Sequence, residues 1–87
     1  MTYVLALAHR AIRTIEVDLP EATATAVMEF ITGPLLENPR RVGKVLGADR
    51  AGTYTARRGD YRVLYEIDEA TSTVRVTRIA HRRDAYR

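Results

Sequence analysis

The spacing of apolar residues changes period along the chain, and each change marks an element. Residues 2–8, TYVLALA, are β-branched and aromatic at their start and predict a short strand. In the following HRAIRTIEVDL, Ile12, Ile15 and Leu19 recur at helical spacing. Thr14 and Val17 weaken this helix, which is expected to stop before Pro20. Asp18 is a plausible N-cap for a second helix, with Pro20 in its first turn and Glu21 three residues on. That helix, PEATATAVMEFI, gathers Ala24, Val27, Met28 and Ile31 on one face. Gly33 and Pro34 break or kink it, and LLENP closes the region in a turn.

Residues 38–52, NPRRVGKVLGADRAG, predict a loop with three glycines and four cations, pinned to the core by Val42, Val45 and Leu46. Period two then takes over in three strands, 53–58, 61–68 and 73–81. Gly59 and Asp60 join the first pair as a two-residue hairpin turn, and EATS joins the second pair. The end, RRDAYR, is either a short helical turn or a frayed tail. The order β-α-α-β-β-β predicts an α+β fold: two N-terminal helices packed on one face of a mainly antiparallel four-stranded sheet, within a single domain spanning 1–87. In the third strand, Tyr61, Val63, Tyr65 and Ile67 share one face, and Arg62, Leu64 and Glu66 the other. In the last strand the same alternation sets Val74, Val76, Arg78 and Ala80 against Arg75, Thr77, Ile79 and His81. Tyr61 and Tyr65 are read as core, and Tyr54 is left open.

Composition narrows the class. A chain of 87 residues with 46% hydrophobic and 29% charged residues has room for one modest core. No apolar run reaches membrane-spanning length, and the N-terminal stretch lacks the basic region of a signal peptide. The absence of cysteine excludes disulfides and fits a cytoplasmic protein. Two scattered histidines, His9 and His81, do not make a metal site, so no metal or other cofactor is expected. Charge is uneven. Residues 1–39 hold two arginines against five acids, whereas residues 40–87 hold eleven arginines and one lysine against six acids. A basic half suggests an anionic partner such as nucleic acid. Arginine, 13 of the 14 cations, grips phosphate with two parallel hydrogen bonds, although codon usage also produces such a bias.

The segment LENPRRVGKVLGADRAGTYTARRGDYRVLYEID, followed by RIAHRRDAYR, resembles the RelE toxins of bacterial type II toxin–antitoxin pairs, within the RelE/ParE superfamily. The resemblance implies a ribosome-dependent, metal-independent mRNA endonuclease that inhibits translation. In such toxins the 2′-hydroxyl of A-site mRNA attacks the adjacent phosphate, leaving a 2′,3′-cyclic phosphate and a 5′-hydroxyl. Carried over residue by residue, it makes Arg62 the ligand of the scissile phosphate. Arg82 becomes a second phosphate ligand or the acid near the leaving oxygen, and Tyr86 the tyrosine that positions a base. Each also has a plain alternative as a solvated strand arginine, a terminal charge and a packing tyrosine.

The family often carries two lysines where this chain has Thr55 and Arg57. Arg57 keeps the charge but is a poor proton acceptor. His81 is a candidate for the missing base or acid, or else a structural histidine ending a strand. Arg41, Lys44, Arg58, Arg78 and Arg83 are candidate contacts to RNA or ribosome, with a solvated edge the plain reading of Arg58. The expected partners are a cognate RelB-like antitoxin, the ribosome with its mRNA, and operator DNA only through the antitoxin complex. The competing expectation is a ParE-like inhibitor of DNA gyrase with the same fold and no nuclease activity.

Overall fold

The computed structural model of the chain describes residues 2–47 and 52–84. Its centre is a five-stranded sheet: β1 (Val4–Leu7), β2 (Lys44–Val45), β3 (Thr53–Arg58), β4 (Tyr61–Asp68) and β5 (Thr73–His81), in spatial order β1-β5-β4-β3-β2. β1 runs parallel to β5 and every other pair is antiparallel. The α+β class and the three long strands agree with the sequence reading. The count of four strands is corrected to five, because β2 lies in the stretch read as a loop. β2 places Lys44 opposite Thr55 and Val45 opposite Tyr54, and the Leu46 N–H donates to the Thr53 carbonyl at 2.8 Å.

The helical layer is α1 (His9–Arg13), continuing into a π-helical turn over Thr14–Asp18, then α2 (Glu21–Thr32) and α3 (Pro34–Glu37). In the π turn the Leu19 N–H reaches back five residues to the Thr14 carbonyl at 3.0 Å. Asp18 is therefore still helical, whereas a capping residue must be extended. The expected Asp18 cap is corrected: Pro20 occupies the cap position of α2, and no side chain caps it. Leu19 is extended, as a residue preceding proline is constrained to be, so the first helical segment does end before Pro20. Gly33 interrupts the helix, and Pro34 restarts it as α3 where LLENP was expected to form only a turn.

Val27 and Ile31 of α2, Leu35 and Leu36 of α3, and Ala11 of α1 pack against Ala56, Val63, Tyr65, Val74, Val76 and Ile79 of the sheet. Ala24 and Met28 flank this core, partly buried. Among the described residues no helix is long and apolar enough to cross a membrane.

One irregularity decides which residues face where. Tyr65 pairs with Val76 but Leu64 pairs with Arg78, so Thr77 is an extra residue in β5. This β-bulge reverses the parity of the strand. Val74, Val76 and Ile79 all face the helices, while Ala80 lies with Leu64 on the open face. The uninterrupted alternation expected for β5 is thus corrected, and Arg78 moves to the face that carries Leu64 and Arg62.

Candidate functional site

The open face of the sheet is most basic at its hairpin end. Arg57 of β3 stands opposite Arg62 of β4. Two like charges directly across a ladder are destabilising, so this pairing needs a compensating reason. The turn between them has a positive φ at Gly59 (+60°) and none at Asp60, the pattern of a type II′ hairpin. The Arg82 N–H donates to the Asp60 carbonyl at 2.8 Å, which carries the chain past the end of β5 and holds Arg82 beside the hairpin tip. Arg57, Arg62 and Arg82 thereby line one cleft of about 190 Å³ with Gly59 and Asp60. A second hollow of about 420 Å³ shares Arg57 and Arg62 and adds Arg41, Lys44 and Thr55. Beside them Leu46, Leu64 and Ala80 form a small apolar patch on the same face.

Arg62 is the innermost of these cations. Its Nε is buried and has no hydrogen-bond partner among the described residues. A buried unpaired guanidinium nitrogen is costly, and at a cleft it marks a donor available to a ligand. By contrast Arg75, near the far end of the same face, sits 3.8 Å from Glu66.

The loop bearing Arg41 and Lys44 is held by a polar network that local sequence does not announce. Arg40 donates through Nε to Glu69 Oε2 at 3.0 Å, through Nη2 to the same oxygen, and through Nη1 to the Tyr54 hydroxyl at 2.8 Å. The Tyr3 hydroxyl donates to Glu69 Oε1 at 2.8 Å. These bonds, Arg40's foremost, hold the Glu69 carboxyl below its usual range, and the bond to Glu69 raises the Tyr3 phenol. Tyr54 stacks on Tyr65, centroids 5.5 Å apart, and the Tyr65 hydroxyl donates to the Pro39 carbonyl at 2.5 Å. Burial, with Tyr54 adding to it, pushes the Tyr65 phenol up to about 12. Gly43 passes so close to Tyr65 that a Cβ there would overlap the hydroxyl and lie 2.7 Å from the Thr55 carbonyl. Arg40 was not singled out from sequence: its anchor, Glu69, is 29 residues away.

The other candidates lie elsewhere. His81 pairs with Tyr61 and so faces the helices. Its ring meets Tyr61 edge-on at 5.4 Å, and its Nδ1 accepts the Arg83 N–H at 3.2 Å. Arg58, also paired with Tyr61, faces the same side and lines a groove with Phe30 and Pro34. Arg78 is on the open face, and Arg83 is exposed beyond β5. Tyr86 lies outside the described residues.

Fold and cleft together define a class: a small helix-on-sheet protein presenting clustered arginines on the sheet face opposite its helices. The model for the ParE toxin of type II toxin–antitoxin systems, parDE, matches residues 5–86. The chain is 47% identical over 85 residues to Toxin RelE of Mycobacterium tuberculosis, covering 98% of this chain and 87% of that protein. It is 51% identical over 69 residues to Toxin RelG of the same organism, covering 79% of each. The M. tuberculosis toxin–antitoxin complex RelBE2 contains a chain that superposes with a TM-score of 0.88 at 42% identity, covering 93% of this chain and 99% of that one. The chain belongs to the ParE toxin family, as a RelE-type toxin of a type II toxin–antitoxin system.

Proposed function

We propose that this toxin is a metal-independent endoribonuclease that cuts mRNA in the ribosomal A site. The observation that carries the reading is the convergence of Arg57, Arg62 and Arg82 on one cleft, with the Arg62 Nε buried and unpartnered among the described residues. In-line attack of a 2′-hydroxyl on the neighbouring phosphate develops charge on the nonbridging oxygens. Arg62 and Arg82 are the ligands for those oxygens, and Arg57 adds a third guanidinium. Tyr86 positions a base, as in the family. Arg41 and Lys44 border the same cations through the second hollow, and Arg41 extends the contact along the RNA backbone. Arg78 and Arg83 are further RNA contacts. Arg58 and His81, on the helix side, stand outside this set.

The test is a purified translation system with divalent metal kept only at the level ribosomes need. The expected result is A-site cleavage leaving a 2′,3′-cyclic phosphate and a 5′-hydroxyl, reduced about 100-fold or more by Arg62→Ala. The second reading, inhibition of DNA gyrase by binding alone, is favoured by the family match to ParE and by Thr55 and Arg57 standing where nuclease relatives carry lysine. Inhibited supercoiling with intact mRNA would decide for it.

The partner in the cytoplasm is a RelB-like antitoxin. The supporting observation is that the RelBE2 relative is a toxin–antitoxin complex. A flexible acidic segment of the antitoxin would cover the arginine cleft and silence it. Operator binding belongs to that complex. Tight sequence-specific binding of operator DNA by the isolated toxin would contradict this division of labour.

A further inference from the structure

The nuclease reading leaves one chemical requirement unmet, a group that takes the proton from the attacking 2′-hydroxyl. Guanidinium groups cannot serve, because arginine does not give up its proton in a protein. The side chains lining the two hollows around Arg57 and Arg62 offer two other ionisable groups among the described residues. Asp60 belongs to the smaller hollow and Lys44 to the larger. Asp60 sits in the exposed hairpin turn, where its carboxylate would stand against a phosphate of the same sign. Lys44 has no such conflict. Its register is fixed by β2, which pairs it across the ladder with Thr55. Cross-strand partners point to the same side of a sheet, so Lys44 joins Thr55, and through the continuing ladder Arg57 and Arg62, on the open face. β2 thus returns an amine to the neighbourhood of position 55, whose own residue has no basic group.

We infer that Lys44 is the general base of the cleavage reaction. In its neutral form the Lys44 amine takes the proton of the 2′-hydroxyl while that oxygen forms its bond to phosphorus. The P–O5′ bond breaks, and the departing 5′-oxygen takes a proton from solvent. No electrons are exchanged, and the atoms balance with water as the proton source. The three nearby guanidiniums Arg41, Arg57 and Arg62 line the same hollow and would hold the phosphate against the amine. The loop network through Arg40 and Tyr65 becomes the device that keeps Lys44 in register, making Arg40 a positioning residue.

The inference rests on the nuclease reading, and the experiment separates the two. Single-turnover cleavage of A-site mRNA is followed from pH 6 to 9 for the wild type and for Lys44→Arg, Lys44→Ala, Asp60→Asn and His81→Gln. Toxin binding to the ribosome is measured alongside. The expected result is a wild-type rate that rises with pH, and a Lys44→Arg variant that binds normally but cleaves about 100-fold slower or worse, with the pH dependence flattened. Lys44→Ala is expected to regain rate on addition of a small primary amine, and the Asp60 and His81 variants to keep the wild-type profile. A Lys44→Arg variant with wild-type rate and profile overturns the inference while leaving the nuclease reading intact. A profile lost instead in Asp60→Asn or His81→Gln reassigns the base and equally overturns it. A wild-type chain that cuts no mRNA overturns both.

Discussion

Gly43→Ala is expected to be the most damaging small substitution in the loop that carries Arg41 and Lys44. A methyl there would overlap the Tyr65 hydroxyl, lie 3.1 Å from the Tyr65 Cζ and come within 2.7 Å of the Thr55 carbonyl. Tyr65 cannot swing aside freely: its side chain is fully buried and its hydroxyl is bonded to Pro39. If the ring moves, a buried hydroxyl and its acceptor lose each other, costing about 1–3 kcal/mol. If the loop moves instead, β2 loses its pairing with β3 and the Leu46 bond to Thr53, at about 0.5–1.5 kcal/mol for each bond. Either route comes to about 1–3 kcal/mol, which for a domain of this size lowers the melting temperature by about 4–20 °C.

A double-mutant cycle tests the close approach of Gly43 to Tyr65. Tyr65→Phe alone removes the bond to Pro39 and is expected to cost about 1 kcal/mol. In the Gly43→Ala background the same change also removes the overlap, so the pair should be less damaging than the sum by at least about 1 kcal/mol. Recovery stays partial, because the Thr55 carbonyl still crowds the methyl. Urea denaturation followed by circular dichroism measures all four corners. Strict additivity, or a fall of less than about 3 °C for Gly43→Ala, would refute the close approach and with it the account of how β2 is held.

Gly59→Ala forces a side chain into a positive φ and should cost about 1–2 kcal/mol in the same assay. Glu69 has its folded pKa depressed by Arg40 and Tyr3, so the native state binds fewer protons there than the unfolded chain. Its contribution is present above the ordinary carboxylate pKa and is lost as pH falls through the depressed one; Glu69→Gln should flatten that part of a denaturant-midpoint profile below about pH 5. Tyr65 has the opposite sign, with a folded pKa raised to about 12, so its contribution is complete below pH 10 and fades as pH rises towards 12. Tyr65→Phe should be less stable near neutrality yet lose less stability between pH 10 and 12.

The sequence was most legible where one period ran without interruption. β3, β4 and β5 were bounded correctly because alternation and the Gly59–Asp60 turn agree. The helical spacing of Val27 and Ile31 identified the buried face of α2. Failures came where a single residue changes phase. Thr77 shifts β5 by one, and a trace of this was visible in the spacing of Val74, Val76 and Ile79, two residues and then three. The π turn adds a residue to the first helix, which keeps Asp18 helical and denies it the capping conformation. β2 is too short to show a period, and its pairing depends on Gly43 approaching Tyr65. In the cleft, the arginines of the β3–β4 hairpin were legible because local alternation sets their side. Arg82, Lys44 and the Arg40 anchor were placed by contacts with residues distant in sequence.

Those long-range contacts explain why the arginines of this chain are not equivalent. Arg40 and Arg75 find carboxylates, Glu69 and Glu66, towards the far end of β4, and there the charge is locally balanced. At the hairpin end Arg57, Arg62 and Arg82 converge with Asp60 as the acidic residue lining their cleft. Among the described residues, three guanidiniums are therefore gathered at the hairpin end of the open face. A concave site in which cations outnumber acids, here three to one, focuses the field and raises the local concentration of an anionic ligand. The same crowding works against the folded state when the cleft is empty, since Arg57 faces Arg62 across the ladder. A phosphate in the cleft would reverse that term, turning mutual repulsion of the guanidiniums into shared attraction to one anion.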